Sequence, residues 1–291
     1  MTKHIALLGH HLSHSISPRF QQAALDHLGL DIRYEAWDTE PDRLEETVNK
    51  LRRPQNLGAN VTVPYKETVL ALLDRLAGMA PQIGAVNTII NQGAKLVGHN
   101  TDATGFMMAL RAEADFDPRD KCAVLLGAGG AARAVAFALV EAGIASLIIF
   151  NRTFERGRGL ALALGANLKV GQQVRALPWE EGKLGEVLPA CELLVNCTTL
   201  GLKGGPGEGQ TPLRAEGLHK DMLVYDLVYN PPETPLLKEA RRAGALAVSG
   251  LSMLVYQGAA SFELWLEQPA PIDIMFKEAR RVLGGGQCCA F

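Results

Sequence analysis

Two charged residues, Lys66 and Asp102, are the strongest candidates for acid–base chemistry in this sequence. Lys66 follows a β-branched run (61–63) that predicts a strand, and Pro64 should end that strand because proline cannot donate to a sheet ladder. The lysine would then lie just past the carboxyl end of a strand, where open α/β sheets hold their ligands. Asp102 could accept a proton or a hydrogen bond from it. The competing interpretation makes Asp102 the N-cap of the helix that follows it.

A glycine-rich turn predicts a nucleotide site in the second half of the chain. It lies between a predicted strand (122–126) and a predicted helix (131–142), and its pattern is G-x-G-x-x-A. Such glycines permit a tight turn and a close approach of the backbone to a pyrophosphate at the helix N-terminus. A glycine-rich helix cap without a ligand is the alternative. The residues of the pattern are Gly127, Ala128, Gly129, Gly130, Ala131 and Ala132, of which the last two begin the predicted helix.

The residues after the next predicted strand (147–150) favour NADP(H) over NAD(H). NAD sites usually place an acidic residue there to accept from the ribose 2′-hydroxyl. This chain has Asn151, Arg152 and Thr153, with Arg156 one turn later. Two guanidinium groups and a hydroxyl suit a dianionic 2′-phosphate, which a carboxylate would repel. The alternative is that both arginines are solvated surface cations.

Composition indicates a globular protein without a nucleic-acid or membrane partner. The 291 residues are 47% hydrophobic and 21% charged, with a net charge of −2. The apolar stretch near the N-terminus is too short for a signal peptide, and the uncharged run 243–262 contains glycines and polar residues that favour a strand, a turn and a helix. The five cysteines show neither zinc nor secreted-disulfide spacing, so we expect no metal and a reduced, cytoplasmic protein.

The order of predicted elements indicates an α/β fold with mainly parallel sheets, because strands alternate with helices along the chain. Residues 115–120 are the best linker candidate and 203–210 a glycine-rich loop. Predicted strands are 4–8, 32–37, 58–63, 85–91, 95–99, 122–126, 147–150, 193–196, 223–227 and 245–248. Predicted helices are 18–28, 41–53, 66–76, 103–114, 131–142 and 253–283, the last broken at Pro269 and Pro271.

Nine short motifs, spread over nearly the whole chain, resemble those of the shikimate dehydrogenases. They are HSISP (14–18), NVTVPYK (60–66), GAVNT (84–88), GHNTDATGF (98–106), GAGGAAR (127–133), NRT (151–153), NCTTLG (196–201), YDLVYNPPETPLL (225–237) and GLSMLVYQGAASFELW (250–265). One such motif is modest evidence, whereas nine in the right order are specific.

The resemblance implies two α/β domains. An N-terminal domain with an open, mainly parallel sheet would bind the substrate, and a Rossmann domain would bind NADP. The C-terminal helices would return to the first domain. The expected boundaries are 1–103 plus 250–291 for the substrate domain and 104–249 for the Rossmann domain.

The resemblance also implies roles in an NADP-dependent interconversion of 3-dehydroshikimate and shikimate. Lys66 and Asp102 would form the catalytic pair at the hydroxyl that becomes a carbonyl. The expected substrate contacts are Ser15 and Ser17 for the carboxylate, Thr62, Asn87 and Gln257 for the ring hydroxyls, and Tyr229 for closure over the substrate. Further expected cofactor contacts are Thr198, Gly250 and Met253, the last near the nicotinamide.

Alternatives remain for several of these residues and for the activity. Ser15 and Ser17 could merely cap the helix from 18, Gln257 could be a surface residue, and Met253 could belong to the core. A quinate/shikimate dehydrogenase that uses NAD is one rival activity. A nucleotide- or ligand-sensing paralogue without catalysis is the other. A monomer or homodimer is expected.

Overall fold

The computed structural model describes residues 2–284, and Cys288 and Cys289 lie outside that range. By the contacts within the chain, the protein divides into two units. The first comprises the residues up to Gly105 together with those from Leu254 onward, and the second is Phe106–Met253.

Twelve strands and ten α-helices are assigned in the described part of the chain. The strands are β1 (Lys3–Gly9), β2 (Ile32–Asp38), β3 (Asn56–Val61), β4 (Arg75–Leu76), β5 (Thr88–Gln92), β6 (Lys95–His99), β7 (Cys122–Leu126), β8 (Ser146–Asn151), β9 (Gln173–Pro178), β10 (Leu193–Asn196), β11 (Leu223–Asp226) and β12 (Leu246–Ser249). The helices are α1 (Ser17–His27), α2 (Leu44–Lys50), α3 (Ala80–Ile83), α4 (Asp102–Ala114), α5 (Gly130–Glu141), α6 (Phe154–Gly165), α7 (Glu181–Val187), α8 (Pro235–Arg242), α9 (Leu251–Leu266) and α10 (Ile272–Leu283).

The sheet of the first unit is mixed, with the strand order β2-β1-β3-β5-β6-β4. β1 pairs in parallel with β2 and β3, whereas β5 runs antiparallel to β3 and to β6. Apolar side chains on one face of this sheet, including Leu8, Val61 and Ile89, are almost fully buried and form a single hydrophobic cluster. Burial of this cluster is the main force that fixes the strands in register.

The sheet of the second unit is wholly parallel, with the order β12-β11-β10-β7-β8-β9. The chain moves outward from β7 through β8 and β9, and then returns to place β10 on the other side of β7. This reversal is the topological switch point of a doubly wound fold, and ligands bind beside such a point at the carboxyl ends of the strands. Two α/β units with parallel-rich sheets confirm the predicted fold class.

Several predicted elements differ from the structure. The predicted helix 66–76 is wrong: a short 3₁₀ helix, Thr68–Leu72, and strand β4 occupy this segment. The strand before Pro64 ends at Val61, two residues earlier than predicted. The edge strand β9 has no counterpart among the predicted strands, because its half-buried residues give a weak alternation.

The predictions for the C-terminal part are confirmed. The uncharged run 243–262 forms β12, a turn and most of α9, and the following helix is interrupted between α9 and α10, in the segment with Pro269 and Pro271. Within residues 2–284, every helix is too short or too polar to cross a bilayer.

Candidate active site

Lys66 and Asp102 meet at one edge of the first sheet, although 36 positions separate them. Asn60, near the end of β3, pairs with Thr88 at the start of the antiparallel β5. Thr88 also pairs with His99 at the end of β6. The turn after β3 and the start of α4 therefore reach the same edge, as the strand-end position of Lys66 predicted.

The two residues form a direct ion pair. Nζ of Lys66 donates to Oδ2 of Asp102 over 2.5 Å. The side chain of Asp102 is 4% exposed and that of Lys66 is 15% exposed, so salt and water screen this pair far less than a surface pair. An ammonium group carries three N–H donors, and this contact uses one of them. Lys66 can therefore hold the carboxylate and a ligand oxygen at the same time.

The N-cap role considered for Asp102 belongs to Asn100. Oδ1 of Asn100 accepts from the backbone N–H of Asp102 over 3.0 Å and from that of Ala103 over 3.4 Å, at the start of α4. The carboxylate of Asp102 instead contacts Lys66 and the amide of Asn87. The carboxylate of Asp102 is therefore directed at Lys66 and Asn87, and Asn100 caps the helix.

Asn87 and Gln257 join this pair in a buried polar cluster. Nδ2 of Asn87 lies 2.8 Å from Oγ1 of Thr101, 2.9 Å from Oδ1 of Asp102 and 3.1 Å from Oε1 of Gln257. An amide has two N–H groups, so these three acceptors share them. Gln257 is 9% exposed, which excludes the alternative of a surface residue. The structure thus brings together four of the predicted residues: Lys66, Asp102, Asn87 and Gln257.

Further buried polar side chains surround Asn87, whose Oδ1 accepts from Oγ1 of Thr88 over 3.1 Å. Nδ2 of Asn60 donates to Oγ of Ser261 over 2.9 Å, and the hydroxyl of Tyr34 donates to Oδ1 of Asn60 over 2.7 Å. Oγ of Ser261 lies 2.7 Å from Oγ1 of Thr88 and 3.0 Å from Oγ1 of Thr101. Burial raises the pKa of Tyr34, so its hydroxyl stays protonated as a donor. These bonds join β2, β3, β5 and the start of α4 to α9.

Three further candidates lie around the start of α1 and directly after β3. Ser15 is half-buried and Ser17 is buried at the start of α1, where Oγ of Ser15 accepts from the N–H of Ser17 over 3.4 Å. The N-cap of α1 is Ile16, which offers no side-chain acceptor. Thr62 follows β3 directly and its N–H donates to the carbonyl of Leu8 over 2.8 Å. The binding role of these three hydroxyls stays a prediction.

In the second unit, the glycine-rich turn has the geometry of a phosphate site. Gly127 follows β7 with a φ of 113°, a region that side chains rarely adopt, and a Cβ there would lie 3.1 Å from the carbonyl oxygen of Cys197. Helix α5 begins at Gly130 after the N-cap Gly129, without a side-chain cap. The first amides of α5 therefore have no side-chain acceptor, which fits a bound anion.

The residues after β8 lie at the same edge of the sheet, because β7 and β8 pair in parallel register. Nδ2 of Asn151 donates to the carbonyl of Thr153 over 2.8 Å and shapes the turn into α6. Arg152 and Arg156 are both exposed. Their exposure is consistent with binding of a solvent-facing 2′-phosphate and equally with solvated surface cations. A measurement of cofactor preference distinguishes these two interpretations.

Thr198 belongs to a polar turn at the end of β10. Its N–H and Oγ1 both donate to Oδ1 of Asn196, over 3.1 and 2.7 Å, and Nδ2 of Asn196 donates to Oδ1 of Asp226 over 2.9 Å. Asp226 also accepts from Oγ1 of Thr234 and from the N–H of Val228. Burial raises the pKa of Asp226 to about 6, although these donors oppose the shift.

The last three predicted residues also lie in the second unit. Tyr229 is half-buried in the turn after β11. Gly250 is buried, and a Cβ there would lie 2.1 Å from the carbonyl oxygen of Leu227, so a larger residue would displace that turn. Met253 is 6% exposed, which agrees with the core alternative as well as with a cofactor contact.

Four residues that position the site were not predicted from the sequence. Thr101 and Asn100 stand inside the motif GHNTDATGF and Ser261 inside the last motif. One signal was present for Ser261: it follows Gln257 by four positions, and therefore shares its helix face. Asp226 could have been suspected, because a carboxylate that ends a buried strand needs partners.

Three family profiles match this chain. The family profile described as the shikimate dehydrogenase substrate binding domain matches residues 7–89. The profile described as shikimate / quinate 5-dehydrogenase matches residues 110–199, and that of the shikimate 5′-dehydrogenase C-terminal domain matches residues 250–280.

Curated relatives and solved structures match over almost the full length. A protein of Methanopyrus kandleri named shikimate dehydrogenase (NADP(+)) is 46% identical over 94% of this chain and 93% of its own. One of the same name from Moorella thermoacetica is 47% identical over 96% and 93%. The crystal structure of shikimate 5-dehydrogenase from Thermus thermophilus, in complex with NADP(H) and shikimate, has a TM-score of 0.85 at 41% identity and covers 97% of this chain and 100% of that one. The chain therefore belongs to the shikimate dehydrogenase family.

Proposed function

We propose that this chain catalyses the reversible, NADP-dependent reduction of 3-dehydroshikimate to shikimate, a step of aromatic amino-acid biosynthesis. The observation that carries the proposal is the buried Lys66–Asp102 pair at the edge of the first sheet, with a bond of 2.5 Å. Relatives named for this activity with NADP share over 40% of their residues with the chain.

The first unit supplies the substrate contacts in this proposal. Shikimate has one carboxylate and three ring hydroxyls, so it needs donors for the former and mixed donors and acceptors for the latter. The hydroxyls of Ser15 and Ser17 at the start of α1 supply donors for the carboxylate. The side chains proposed for the ring hydroxyls are those of Thr62, Asn87 and Gln257, and the role proposed for Tyr229 is closure over the substrate.

Lys66 handles the proton in the proposed reaction. In the direction of reduction, its ammonium donates a proton to the carbonyl oxygen of the substrate, and in the reverse direction its amine accepts the hydroxyl proton. Asp102 keeps Nζ in place through Oδ2, while Asn87 holds Oδ1 over 2.9 Å. The bound nicotinamide supplies the hydride acceptor or donor.

The second unit has the residues that NADP needs. The pyrophosphate fits the first amides of α5, which no side chain caps, and the turn at Gly127 leaves room for its close approach. Arg152, Thr153 and Arg156 follow β8, where the adenosine 2′-phosphate of a dinucleotide lies. Cofactor contacts from Thr198, Gly250 and Met253 complete this proposed site at the carboxyl edge of the sheet.

An assay with two substrates and two cofactors tests the proposal. We expect reduction of NADP⁺ with shikimate to have the highest kcat/KM. With NAD⁺, kcat/KM should be lower by about 10- to 100-fold, because one or two charge-assisted hydrogen bonds to the 2′-phosphate are missing. Preference for quinate with NAD⁺ would instead support the rival dehydrogenase, and no turnover of either substrate would support a sensing paralogue.

Two further properties stay predictions of the sequence. We propose action in the cytoplasm and a monomeric or homodimeric state. Cell fractionation and light scattering of the purified protein would test them, and a membrane-bound fraction or a larger assembly would contradict them.

A further inference from the structure

Two cysteines of the second unit lie side by side at the edge of the sheet opposite the proposed cofactor site. Cys122 is the first residue of β7, and Cys191 comes two residues before β10, the parallel neighbour of β7. Their sulfur atoms are 3.3 Å apart, although 69 positions separate them in sequence. Both are free thiols.

We propose that Cys122 and Cys191 form a redox-active dithiol, which a peroxide converts into an intramolecular disulfide. The backbone supports this bond, because the N–H of Glu192 donates to the carbonyl of Cys122 over 3.0 Å and holds the two segments together. Because Leu193 pairs with Ala123, Cys191 is offset by one residue from the position opposite Cys122. A strand spacing of about 4.8 Å with this offset of about 3.3 Å gives a Cα separation of roughly 6 Å, which disulfides can span. Closure requires the sulfurs to approach by about 1.3 Å, to the usual bond length.

The two thiols differ in exposure and in pKa. Cys122 is half-buried, whereas Cys191 is fully buried. The hydrogen bond from Cys191 lowers the pKa of Cys122 to about 7, with help from Ser146 and Arg175 and against burial and the charge of Glu192. The same hydrogen bond and burial raise the pKa of Cys191. Cys122 is thus the thiolate that attacks, and Cys191 is the thiol that resolves.

The reaction balances without a cofactor. The Cys122 thiolate attacks one oxygen of hydrogen peroxide, the O–O bond breaks, and the sulfenic acid forms while the other oxygen leaves as water after protonation. The sulfur of Cys191 then attacks the sulfur of Cys122. The S–S bond forms, the S–O bond breaks, and the hydroxide that leaves takes the proton of the Cys191 thiol. Two thiols lose two electrons, and one peroxide becomes two molecules of water.

The location of the pair predicts an effect on stability rather than on catalysis. β7 carries five residues from Cys122 to Leu126, about 16 Å at 3.3 Å per residue, before the turn at Gly127. A disulfide would link the amino ends of β7 and β10 and enclose the segment with α5, β8, α6, β9 and α7. Such a cross-link lowers the entropy of the unfolded chain, so the oxidised protein should unfold at a higher temperature.

Peroxide treatment of a variant without the competing C-terminal thiols tests the proposal. The double substitution C288S/C289S leaves three of the five cysteines. We expect one equivalent of hydrogen peroxide to lower the thiol count of the denatured protein from three to one. Cleavage after Lys, Arg and Glu should then yield a peptide with Cys122 joined to one with Cys191, because Glu192 separates Cys191 from Cys197.

Matched variants complete the test. Addition of C191S should let a sulfenic acid accumulate on Cys122, and addition of C122S should abolish thiol loss at low peroxide. The parent should gain several degrees in Tm on oxidation, lose them with dithiothreitol, and keep its kcat/KM. A parent that keeps three thiols, or in which Cys197 forms the cross-link, would overturn the proposal. This outcome is independent of the dehydrogenase activity, which is measured separately on the reduced protein.

Discussion

Nδ2 of Asn87 lies 2.9 Å from Oδ1 of Asp102, the carboxylate oxygen opposite the one that accepts from Lys66. The carboxylate is thus held from two sides, by a cation and by a buried amide. Asn87 is 1% exposed and Asp102 is 3% exposed, so water has little access to the bond between them. The orientation of Lys66 therefore depends on Asn87 as well as on its direct partner.

Replacement of this amide should weaken both catalysis and substrate binding. For Asn87→Ala we expect kcat to fall by about tenfold or more, because loss of a donor to a charged group is worth roughly 1.5–3 kcal/mol. KM for shikimate should rise, since Asn87 is also a proposed substrate contact. Steady-state kinetics with NADP⁺ and shikimate measure both. Asn49→Ala is the control, because Asn49 is exposed and its side chain accepts from Arg52 at the surface. Equal kinetics of the two variants would contradict this role.

Close packing of α4 against α9 should make Gly105 intolerant of a side chain. A Cβ there would lie 2.6 Å from the backbone N of Gln257 and 2.7 Å from its Cβ. For Gly105→Ala we expect a loss of about 1–3 kcal/mol in the free energy of unfolding, the usual cost of overpacking. KM for shikimate should rise as Gln257 moves.

The matched control for this glycine lies in α6. Gly159→Ala meets nothing within 4 Å, so it should stabilise the protein by about 0.5–1 kcal/mol through higher helix propensity. Urea denaturation measures both variants. A Gly105→Ala protein as stable as Gly159→Ala would show that α4 and α9 do not pack this closely.

Arg152 should decide between the two nicotinamide cofactors. For Arg152→Ala we expect KM for NADP⁺ to rise by about 10- to 100-fold while KM for NAD⁺ changes little, because only the former carries the 2′-phosphate. Arg156→Ala should have a smaller effect in the same direction. Arg158→Ala is the control, since Arg158 pairs with Glu155 over 3.1 Å on the same helix. Equal losses with both cofactors would leave Arg152 as a general surface cation.

Asp226 should make stability depend on pH. Burial raises its pKa from 3.8 to about 6 in the folded protein, so the folded state binds a proton more tightly than the unfolded state. Its contribution to stability is therefore full below pH 3.8 and is lost as pH rises through 6. Relative to Asp226→Asn, the free energy of unfolding of the wild type should fall by about 2–3 kcal/mol from about pH 4 to about pH 7. A difference between the two proteins that is constant over this range would contradict the shifted pKa.

Local patterns predicted five of the six strands of the second sheet and helix α5, whereas β9, α6, α7 and α8 have no counterpart among the predicted elements. The predicted strand 122–126 is β7 itself, and the predicted helix 131–142 is α5 shifted by one residue. In residues 122–142, the apolar strand residues, the glycines of the turn and the alanines of the helix each favour the structure that forms. In such a segment, local propensity and the final fold point to the same structure.

Long-range contacts explain what the sequence did not reveal. The segment 66–76 has helical spacing, but the carbonyl of Lys66 accepts from the N–H of Val86 over 2.7 Å and β4 pairs with β6. These tertiary bonds override the local preference. Likewise, Thr88 and Ser261 lie 173 positions apart and meet only because α9 packs on β5. The motifs singled out Lys66 and Asp102, which the structure brings into contact, whereas the buried cluster around them depends on contacts that only the folded chain makes.

The rate of NADP⁺ reduction by shikimate in Lys66→Gln tests the central claim most directly. Glutamine keeps a donor for Asp102 and removes the titratable group, and Lys95→Ala, at an exposed position of β6, is the control. We predict that kcat falls by about 10²–10⁴-fold, the usual worth of a general acid–base residue, while the Kd of NADP⁺ is unchanged. A Lys66→Gln enzyme that keeps the kcat of the wild type would show that Lys66 does not transfer the proton.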